Sequence, residues 1–321
     1  MAGIAGLVDA KLAQLSPVNE AWQPSDYVPD LTAPHWVEEL TEFRKAALEL
    51  PDDLLVVLVG TAVTEEALPS YQTSFNRLDA VRDATGADPG PWARWSRAWT
   101  AEENRHGDLL NRYLYLTGRV DMRSVEVTIQ HLIRNGFDPG HDGDPYNGLV
   151  YTTLQEQATR LSHAKVGKLA RQAGEKVLGQ ICNVIAGDEA RHENAYRSFM
   201  GEVFERDPDG AVMALDAMLQ KTITMPAKLM EDGSEHNIFA CFSGVAQRLG
   251  VYTFTDYIQI IEEQLAVWNV AKLKQLSGPA AQAQERVCSL PHAYRRRAAL
   301  YEKKLAQQPK VPFRWIQGRI T

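Results

Sequence analysis

Residues 102–106 read EENRH and residues 188–192 read DEARH, so the chain carries the pattern Glu-x-x-His twice. In each copy a Glu and a His stand three residues apart, which places both side chains on one face of an α-helix. One such helix can present a carboxylate and an imidazole to a metal ion, and two facing helices can hold two ions. The two short runs therefore predict a helical bundle with a two-metal centre.

Apolar residues recur at three- and four-residue spacing along most of the chain, a pattern typical of amphipathic helices. The spacing predicts helices over 35–50, 95–117, 122–135, 149–172, 175–204, 210–219 and 255–276. Residues 54–60 alone would fit a buried strand, but they run into helix-forming residues, so we predict one buried helix that ends at Pro69. The repeated motif further suggests two similar helix pairs facing each other, as in ferritin-like bundles, and the predicted fold class is all-α.

Breaks rich in Gly, Pro and Asp are too short to link independent domains, and they fall at 86–91, 138–145, 207–210 and 232–234. We therefore predict a single ferritin-like domain over residues 1–321. Residues 1–20 are predicted to form an N-terminal arm. The basic, proline-containing residues 293–321 are predicted to form an extended C-terminal tail that packs on the bundle.

Composition narrows the class of protein. The formal net charge of −7 at pH 7 argues against general nucleic-acid binding, because phosphate contacts need a basic surface. The apolar runs are too short to predict a membrane span. Three well-separated cysteines leave one unpaired in any disulfide scheme, as expected in a reducing compartment. The start lacks a secretory or transit-peptide pattern, so we expect a soluble protein, cytoplasmic if bacterial and in the plastid stroma if a processed plant or algal form.

A two-metal bundle of this kind needs one further Glu from each of two other helices. The helix before the first motif offers Glu65 or Glu66, and spacing alone does not choose between them. The helix between the motifs offers Glu156. Four converging carboxylates would repel one another, and two divalent ions, of iron or manganese, would offset their charge.

Other acidic and histidine residues are expected to lie outside the metal site. Glu102 and Asp188 lie on a different side of their helices from the proposed ligands. We therefore expect them to contact solvent or the outer side of a ligand, and not to bind the metal themselves. The remaining histidines have no such partners and are predicted to be surface residues or core residues with ordinary hydrogen bonds. They are His35, His131, His141, His163, His236 and His292.

Six longer runs resemble the soluble acyl-ACP desaturases (ACP, acyl carrier protein) of plant plastids and some bacteria: residues 64–69, 99–111, 113–122, 188–193, 246–252 and 312–316. The resemblance covers nearly the whole chain from Trp22 onward. It implies a ferritin-like di-iron helical bundle with additional helices, and a homodimer. It also favours Glu65 over Glu66.

The resemblance implies three ligands for each of two iron ions, with Glu103 and Glu189 bridging the pair. The first iron would be held by Glu65, Glu103 and His106, and the second by Glu156, Glu189 and His192.

Roles next to the irons are implied as well. Thr159 would lie beside the dioxygen-binding face as a catalytic residue. Electrons would travel from the surface through Trp22 and Asp188 to His106.

The implied reaction is the O2-dependent introduction of a cis double bond into a saturated fatty acyl chain carried on acyl carrier protein. A methylene in such a chain has a strong C–H bond and no acidic proton, so acid–base side chains cannot attack it, and two Fe2+ ions with O2 would supply the oxidant. Reduced ferredoxin is the implied electron donor. The alternative is a ferritin-like di-iron oxidase or iron-storage protein without an acyl substrate. A radical-generating reductase subunit and a metal-free helical binding protein are further rivals.

A narrow apolar channel would set which carbon faces the irons. Ser74, Arg77 and Leu149 lie where the sequence departs from familiar relatives, and they are the channel candidates. Chain length and bond position stay open. Because acyl carrier protein is acidic, a basic docking patch is expected near the channel mouth, at the lysines of 272–274 or the arginines of 295–297.

Overall fold

Helices make up nearly all the regular structure of the chain. The computed structural model describes residues 1–221, 223, 225–307 and 310–321. These residues form twelve α-helices: α1 (Ala5–Leu12), α2 (Trp36–Ala47), α3 (Asp52–Glu66), α4 (Leu68–Phe75), α5 (Pro91–Thr117), α6 (Met122–Asn135), α7 (Pro145–Gln172), α8 (Lys176–Arg206), α9 (Pro208–Gln220), α10 (Ile238–Leu249), α11 (Phe254–Val267) and α12 (Gly278–Ala306). The predicted all-α class is confirmed.

Short elements connect and follow these helices. Single 3₁₀ turns occur at Ala2–Ile4, Pro24–Asp26, Pro226–Leu229, Val270–Lys272 and Arg314–Ile316. A small antiparallel ribbon near the end of the chain pairs β1 (Pro312–Phe313) with β2 (Arg319–Ile320).

Four helices form the bundle that positions the candidate site. α3 packs on α5, α7 runs along α8, and α5 also contacts α8 while α3 contacts α7. Capping residues lie at several ends of the long helices. The Asp144 side chain accepts backbone N–H groups at the start of α7, Glu175 does the same for α8, and α5 ends at Gly118 with a φ of 66°.

α3 is buried almost throughout, which explains the unbroken apolar run 54–59. The single helix predicted there is divided, because α3 ends at Glu66 and α4 begins at Leu68. Pro69 lies in the first turn of α4, where its missing N–H costs no hydrogen bond, and the two helices bend by 42°. Among the described residues no single helix is long and apolar enough to cross a membrane. The bent pair of α3 and α4 together reaches the required length and apolar composition.

Two predicted boundaries near the C-terminus are wrong. The helix predicted over 255–276 ends at Val267, and Asn269 takes a left-handed conformation (φ 51°) that an α-helix does not continue through. The tail predicted as extended from residue 293 is helical as far as Ala306. Beyond it, Trp315 is fully buried and donates its indole N–H to Thr128 Oγ1 on α6 at 2.8 Å.

The N-terminal segment, defined here as residues 1–28, runs across the outer side of the bundle. α1 contacts both α5 and α8, and the turn Pro24–Asp26 contacts α5. Ile4 and Val8 are buried in the apolar core that these contacts form. The segment therefore covers the two helices that carry the Glu-x-x-His motifs.

Candidate metal centre

The six side chains predicted as iron ligands meet in the interior of the bundle. Their potential ligand atoms form two overlapping groups, and the atoms of each group lie within 4.8 Å of one another. The groups are Glu65, Glu103, His106 and Glu189, and Glu103, Glu156, Glu189 and His192. All six residues are buried, and the two glutamates that the groups share are the two predicted to bridge.

Four polar atoms face the middle of this cluster without forming hydrogen bonds to any described residue: Nδ1 of His106 and His192, and Oε1 of Glu103 and Glu189. His192 Nδ1 nevertheless lies 2.7 Å from Glu103 Oε1, and His106 Nδ1 lies 3.3 Å from Glu189 Oε1. Buried nitrogen and oxygen atoms are almost always hydrogen-bonded in folded proteins. Atoms that lie this close without hydrogen-bond geometry are positioned as the ligands of a shared cation would be. The residues therefore fit a pair of metal ions.

Each histidine of the cluster is held from its outer side by a carboxylate. His106 Nε2 lies 3.3 Å from Asp188 Oδ2, and His192 Nε2 lies 2.9 Å from Glu102 Oε2. A carboxylate acceptor places the N–H of a neutral imidazole on Nε2 and leaves its Nδ1 lone pair directed at the centre. Of the two positions expected for Glu102 and Asp188, contact with solvent or with the outer side of a ligand, both residues take the second.

The two remaining glutamates also have outer partners. Trp99 donates its indole N–H to Glu156 Oε1 at 3.0 Å, and His163 Nε2 lies 2.9 Å from Glu65 Oε1. His163 is a buried histidine with a hydrogen-bond partner, as one of the two predicted alternatives allows, but the sequence analysis did not connect it with the site. A signal was present in the sequence, since His163 follows Glu156 by seven residues, which is two turns along the same face of α7.

The charges within the cluster offset one another. Burial opposes ionisation of Glu103, but the neighbouring imidazoles of His106 and His192 hold its pKa well below the usual range. Burial and the nearby carboxylates raise the pKa of Glu189 and Glu156. Burial would lower the pKa of both imidazoles, yet the surrounding carboxylates raise it well above the usual range. Without a metal the cluster therefore holds protons, which bound cations would displace.

A continuous set of contacts connects the surface to His106. The indole N–H of Trp22, a partly buried residue, donates to Asp188 Oδ2 at 3.1 Å, and the same oxygen lies 3.3 Å from His106 Nε2. The Trp22 ring also stacks on the His106 ring, with centroids 6.1 Å apart and an interplanar angle of 10°. Arg105 donates to Asp188 at 3.0 Å and lies over the Trp22 ring. The predicted electron path is therefore contiguous in space, and its role stays a prediction.

Two cavities adjoin the cluster. The first, of about 90 Å³, is lined by four of the predicted ligands and by a largely aromatic and apolar wall that includes Tyr71, Phe75, Leu78, Phe137 and Tyr151. The second, of about 290 Å³, lies among α3, α10, α11 and the end of α12. Both cavities have Thr64, Glu65 and Thr159 in their walls. The two cavities therefore adjoin beside the candidate centre, and Thr159 lies at their junction.

The three channel candidates occupy different places. Ser74 lines the smaller cavity, and its hydroxyl lies 3.0 Å from Nε2 of the buried His141. Arg77 is half-exposed and lies 4.0 Å from Asp138, and Leu149 packs in the core. Among the described residues, neither Arg77 nor Leu149 lines either of these two cavities. Their part in substrate binding stays a prediction.

The sequence profile of the family described as fatty acid desaturase matches residues 1–317. This chain belongs to the fatty acid desaturase family. The desaturase is 51% identical over 314 residues to the acyl-ACP 6-desaturase of Thunbergia alata, across 97% of this chain and 80% of the relative. It is 52% identical over 308 residues to the chloroplastic stearoyl-ACP 9-desaturase of Olea europaea, across 96% of this chain and 79% of the relative.

The fold of the desaturase is also similar to a solved structure. DesA2 of Mycobacterium tuberculosis H37Rv, described as a candidate acyl-ACP desaturase, matches with a TM-score of 0.56 at 17% identity, across 88% of this chain and 97% of that one. At this identity the match supports the fold, and the predicted ferritin-like all-α class is confirmed. The resemblance stated from the sequence is confirmed by the family and by the two relatives.

Proposed function

We propose that this desaturase uses two iron ions and dioxygen to introduce a cis double bond into a saturated acyl chain bound to acyl carrier protein. The observation that carries the proposal is the buried cluster of four glutamates and two histidines in contact with an apolar cavity. Relatives about 52% identical are named as desaturases of acyl chains on this carrier. They are named for positions 6 and 9, so identity does not choose the carbon atoms.

The cluster of Glu65, Glu103, His106, Glu156, Glu189 and His192 would hold the iron pair. When bound, the irons supply the oxidising power, drawn from dioxygen, that an unactivated C–H bond requires. The chain's own residues orient the substrate and keep water out. Tyr71, Phe137 and Tyr151 surround the alkyl chain and bring one methylene pair to the centre, since no chemical feature marks that pair along a saturated chain. Thr159, at the junction of the cavities, is the catalytic candidate.

The reaction needs two electrons from outside the substrate. Removal of two hydrogen atoms from the acyl chain supplies two of the four electrons that reduce dioxygen to two waters. The other two must come from a one-electron carrier, for which we propose reduced ferredoxin. Trp22 and Asp188 lead from the surface to His106 and are proposed as the route.

The lining of the larger cavity supports a proposal for where the acidic carrier docks. Tyr301 on α12 lines that cavity. Three exposed arginines, 295–297, lie about one and a half turns earlier on the same helix. Arg295 pairs with Glu262, whereas Arg296 and Arg297 are exposed and form no ion pair with any described residue. We propose this basic stretch of α12 as the docking surface in preference to the lysines of 272–274, and we keep the homodimer and the cytoplasmic or stromal location as proposals.

The test is a direct assay. Iron-loaded protein is incubated with reduced ferredoxin, O2 and acyl chains of several lengths on acyl carrier protein, and the double bond is located by mass spectrometry. We expect O2-dependent formation of one unsaturated product. A protein that binds two irons per chain but desaturates none of these chains would contradict the proposal. Uptake of many irons per chain into a large shell would favour iron storage.

A further inference from the structure

The N-terminal segment reaches the outer partner of one iron-site histidine. The backbone N–H of Ser16 donates to Glu102 Oε1 at 3.0 Å, and the other oxygen of this carboxylate, Oε2, lies 2.9 Å from His192 Nε2. The segment therefore contacts a residue that itself contacts a predicted ligand. Trp22 of the same segment contacts Asp188, the outer partner of the other histidine.

Glu102 is fixed on every side. Glu102 is 5% exposed, so its carboxylate contacts protein groups and hardly any solvent. Arg105 Nη2 lies 3.4 Å from Oε1, and Arg191 Nη2 lies 3.7 Å from Oε2. Arg191 also donates to the Ser16 hydroxyl at 3.1 Å. One carboxylate oxygen accepts from the Ser16 amide and the other faces His192, so movement of Ser16 would remove the backbone hydrogen bond that helps to orient this carboxylate toward the imidazole.

The opposite histidine is backed by a different carboxylate. His106 Nε2 lies 3.3 Å from Asp188 Oδ2, and Asp188 accepts from Trp22, Arg105 and Arg191. Arg105 and Arg191 also approach Glu102, so the two carboxylates share these arginines. The direct contacts from the Ser16 amide through Glu102 nevertheless lead to His192 alone, so their loss would act first on one half of the centre. This asymmetry distinguishes a positioning role from a general contribution to folding.

We propose that Glu102 is a positioning residue for His192, and that the N-terminal segment, through the Ser16 amide, fixes Glu102 and so selectively strengthens metal binding at the His192 half of the centre. The inference rests on the proposed di-iron function. It adds Ser16, which is neither an implied ligand nor an implied electron-transfer residue.

The first experiment is Glu102→Gln, which keeps the size of the side chain and removes its charge. Outer partners of metal-bound histidines typically contribute about 10–100-fold in metal affinity. We expect one of the two Fe2+ equivalents to bind about 10–100-fold more weakly under anaerobic chelator competition, with the other unchanged. Glu202→Gln is the matched control, because Glu202 is a partly exposed residue on α8 that pairs with Arg206.

A double variant assigns the effect to His192. In a His192→Ala background, Glu102→Gln should cause no further loss of Fe2+ affinity, because the imidazole through which it acts is gone. Circular dichroism of each variant measures helix content, so misfolding is separated from weakened binding. An equal loss at both equivalents, or a full further loss in the His192→Ala background, would overturn the positioning role.

Two substitutions at residue 16 test the segment. Ser16→Pro removes the N–H that Glu102 accepts, whereas Ser16→Ala keeps this N–H and removes only the hydroxyl that contacts Arg191. We expect Ser16→Pro to weaken the same Fe2+ equivalent as Glu102→Gln, and Ser16→Ala to remain within about threefold of wild type. If Glu102→Gln weakens binding and Ser16→Pro does not, the role of the segment is wrong. The proposed function is tested separately. It stands if the wild-type protein binds two irons and desaturates acyl chains, whatever the result for these variants.

Discussion

His163 Nε2 lies 2.9 Å from Glu65 Oε1, and the imidazole is 1% exposed. One oxygen of Glu65 is thus engaged from the outer side, which leaves the other for the proposed iron. On the opposite half of the centre Glu156 accepts from the indole of Trp99 instead. The two halves are similar in their inner residues and differ in their outer ones, so they should respond differently to substitution.

Replacing His163 should weaken one iron. His163→Phe removes the donor to Glu65, and we expect about a 10–100-fold loss of affinity for one Fe2+ equivalent. His163→Gln retains a donor and should recover most of the binding. Iron content after desalting and chelator competition measure the effect, with His131→Phe on α6 as the control. Unchanged affinity in His163→Phe would contradict the positioning of Glu65 by His163.

Replacing a shared glutamate should cost more than replacing an unshared one. Glu189 belongs to both groups of the cluster, whereas Glu156 belongs to one. We expect Glu189→Ala and His192→Ala to lose iron and activity while most of the helix content remains, and Glu189→Ala to lose both irons. Glu156→Ala should retain more iron than Glu189→Ala. Iron analysis and circular dichroism on the same samples check this order, and retention of two irons in Glu189→Ala would contradict it.

Iron affinity should rise with pH. In the metal-free protein the surrounding carboxylates raise the pKa of His106 and His192, and burial raises the pKa of Glu189, so a cation must displace more protons from the cluster at lower pH. Raising the pH weakens this competition, so the dissociation constant for Fe2+ should fall between about pH 6 and pH 8. Anaerobic calorimetry in buffers of different ionisation enthalpy should detect proton release. Binding without proton release would contradict these pKa directions.

Trp22 should matter for electron delivery more than for iron binding. Trp22→Phe removes the N–H donated to Asp188, and we expect slower ferredoxin-dependent turnover with two irons still bound. Trp268→Phe is a suitable control, because Trp268 is buried and its indole donates to the Arg197 carbonyl, away from the cluster. Single-turnover reduction by ferredoxin measures the step directly. An unchanged rate of reduction would remove Trp22 from the route.

Filling the smaller cavity should shorten the preferred acyl chain. Ser74 is buried in the wall of this cavity, so Ser74→Leu adds volume where the alkyl chain would lie. One methylene in an apolar pocket changes specificity by about 10–200-fold, and we expect a shift of that order toward shorter chains. Thr73→Leu, on the exposed side of α4, is the matched control. Competition between acyl chains of different length gives the ratio, and an unchanged ratio would place the alkyl chain elsewhere.

The sequence by itself determined the local features of this protein. Helical periodicity predicted the bundle helices, and the spacing of Glu103 with His106 and of Glu189 with His192 predicted shared faces, because both depend on a few neighbouring residues. Predictions from local patterns were wrong in two places. The single helix predicted from residue 54 to Pro69 is divided by a bend between α3 and α4, and residues 293–306, predicted as an extended tail, continue α12. In both places packing decided between conformations that the local sequence permits.

Tertiary structure alone decided which side chains support the centre. Glu65 meets His163 across 98 residues of chain, Glu102 meets His192 across 90, and Ser16 meets Glu102 across 86. Such contacts depend on how each helix is rotated and how deeply it packs, and periodicity fixes neither. The sequence therefore specified which residues could reach a metal pair, and the packing of the helices and of the N-terminal segment specified which residues hold them in place.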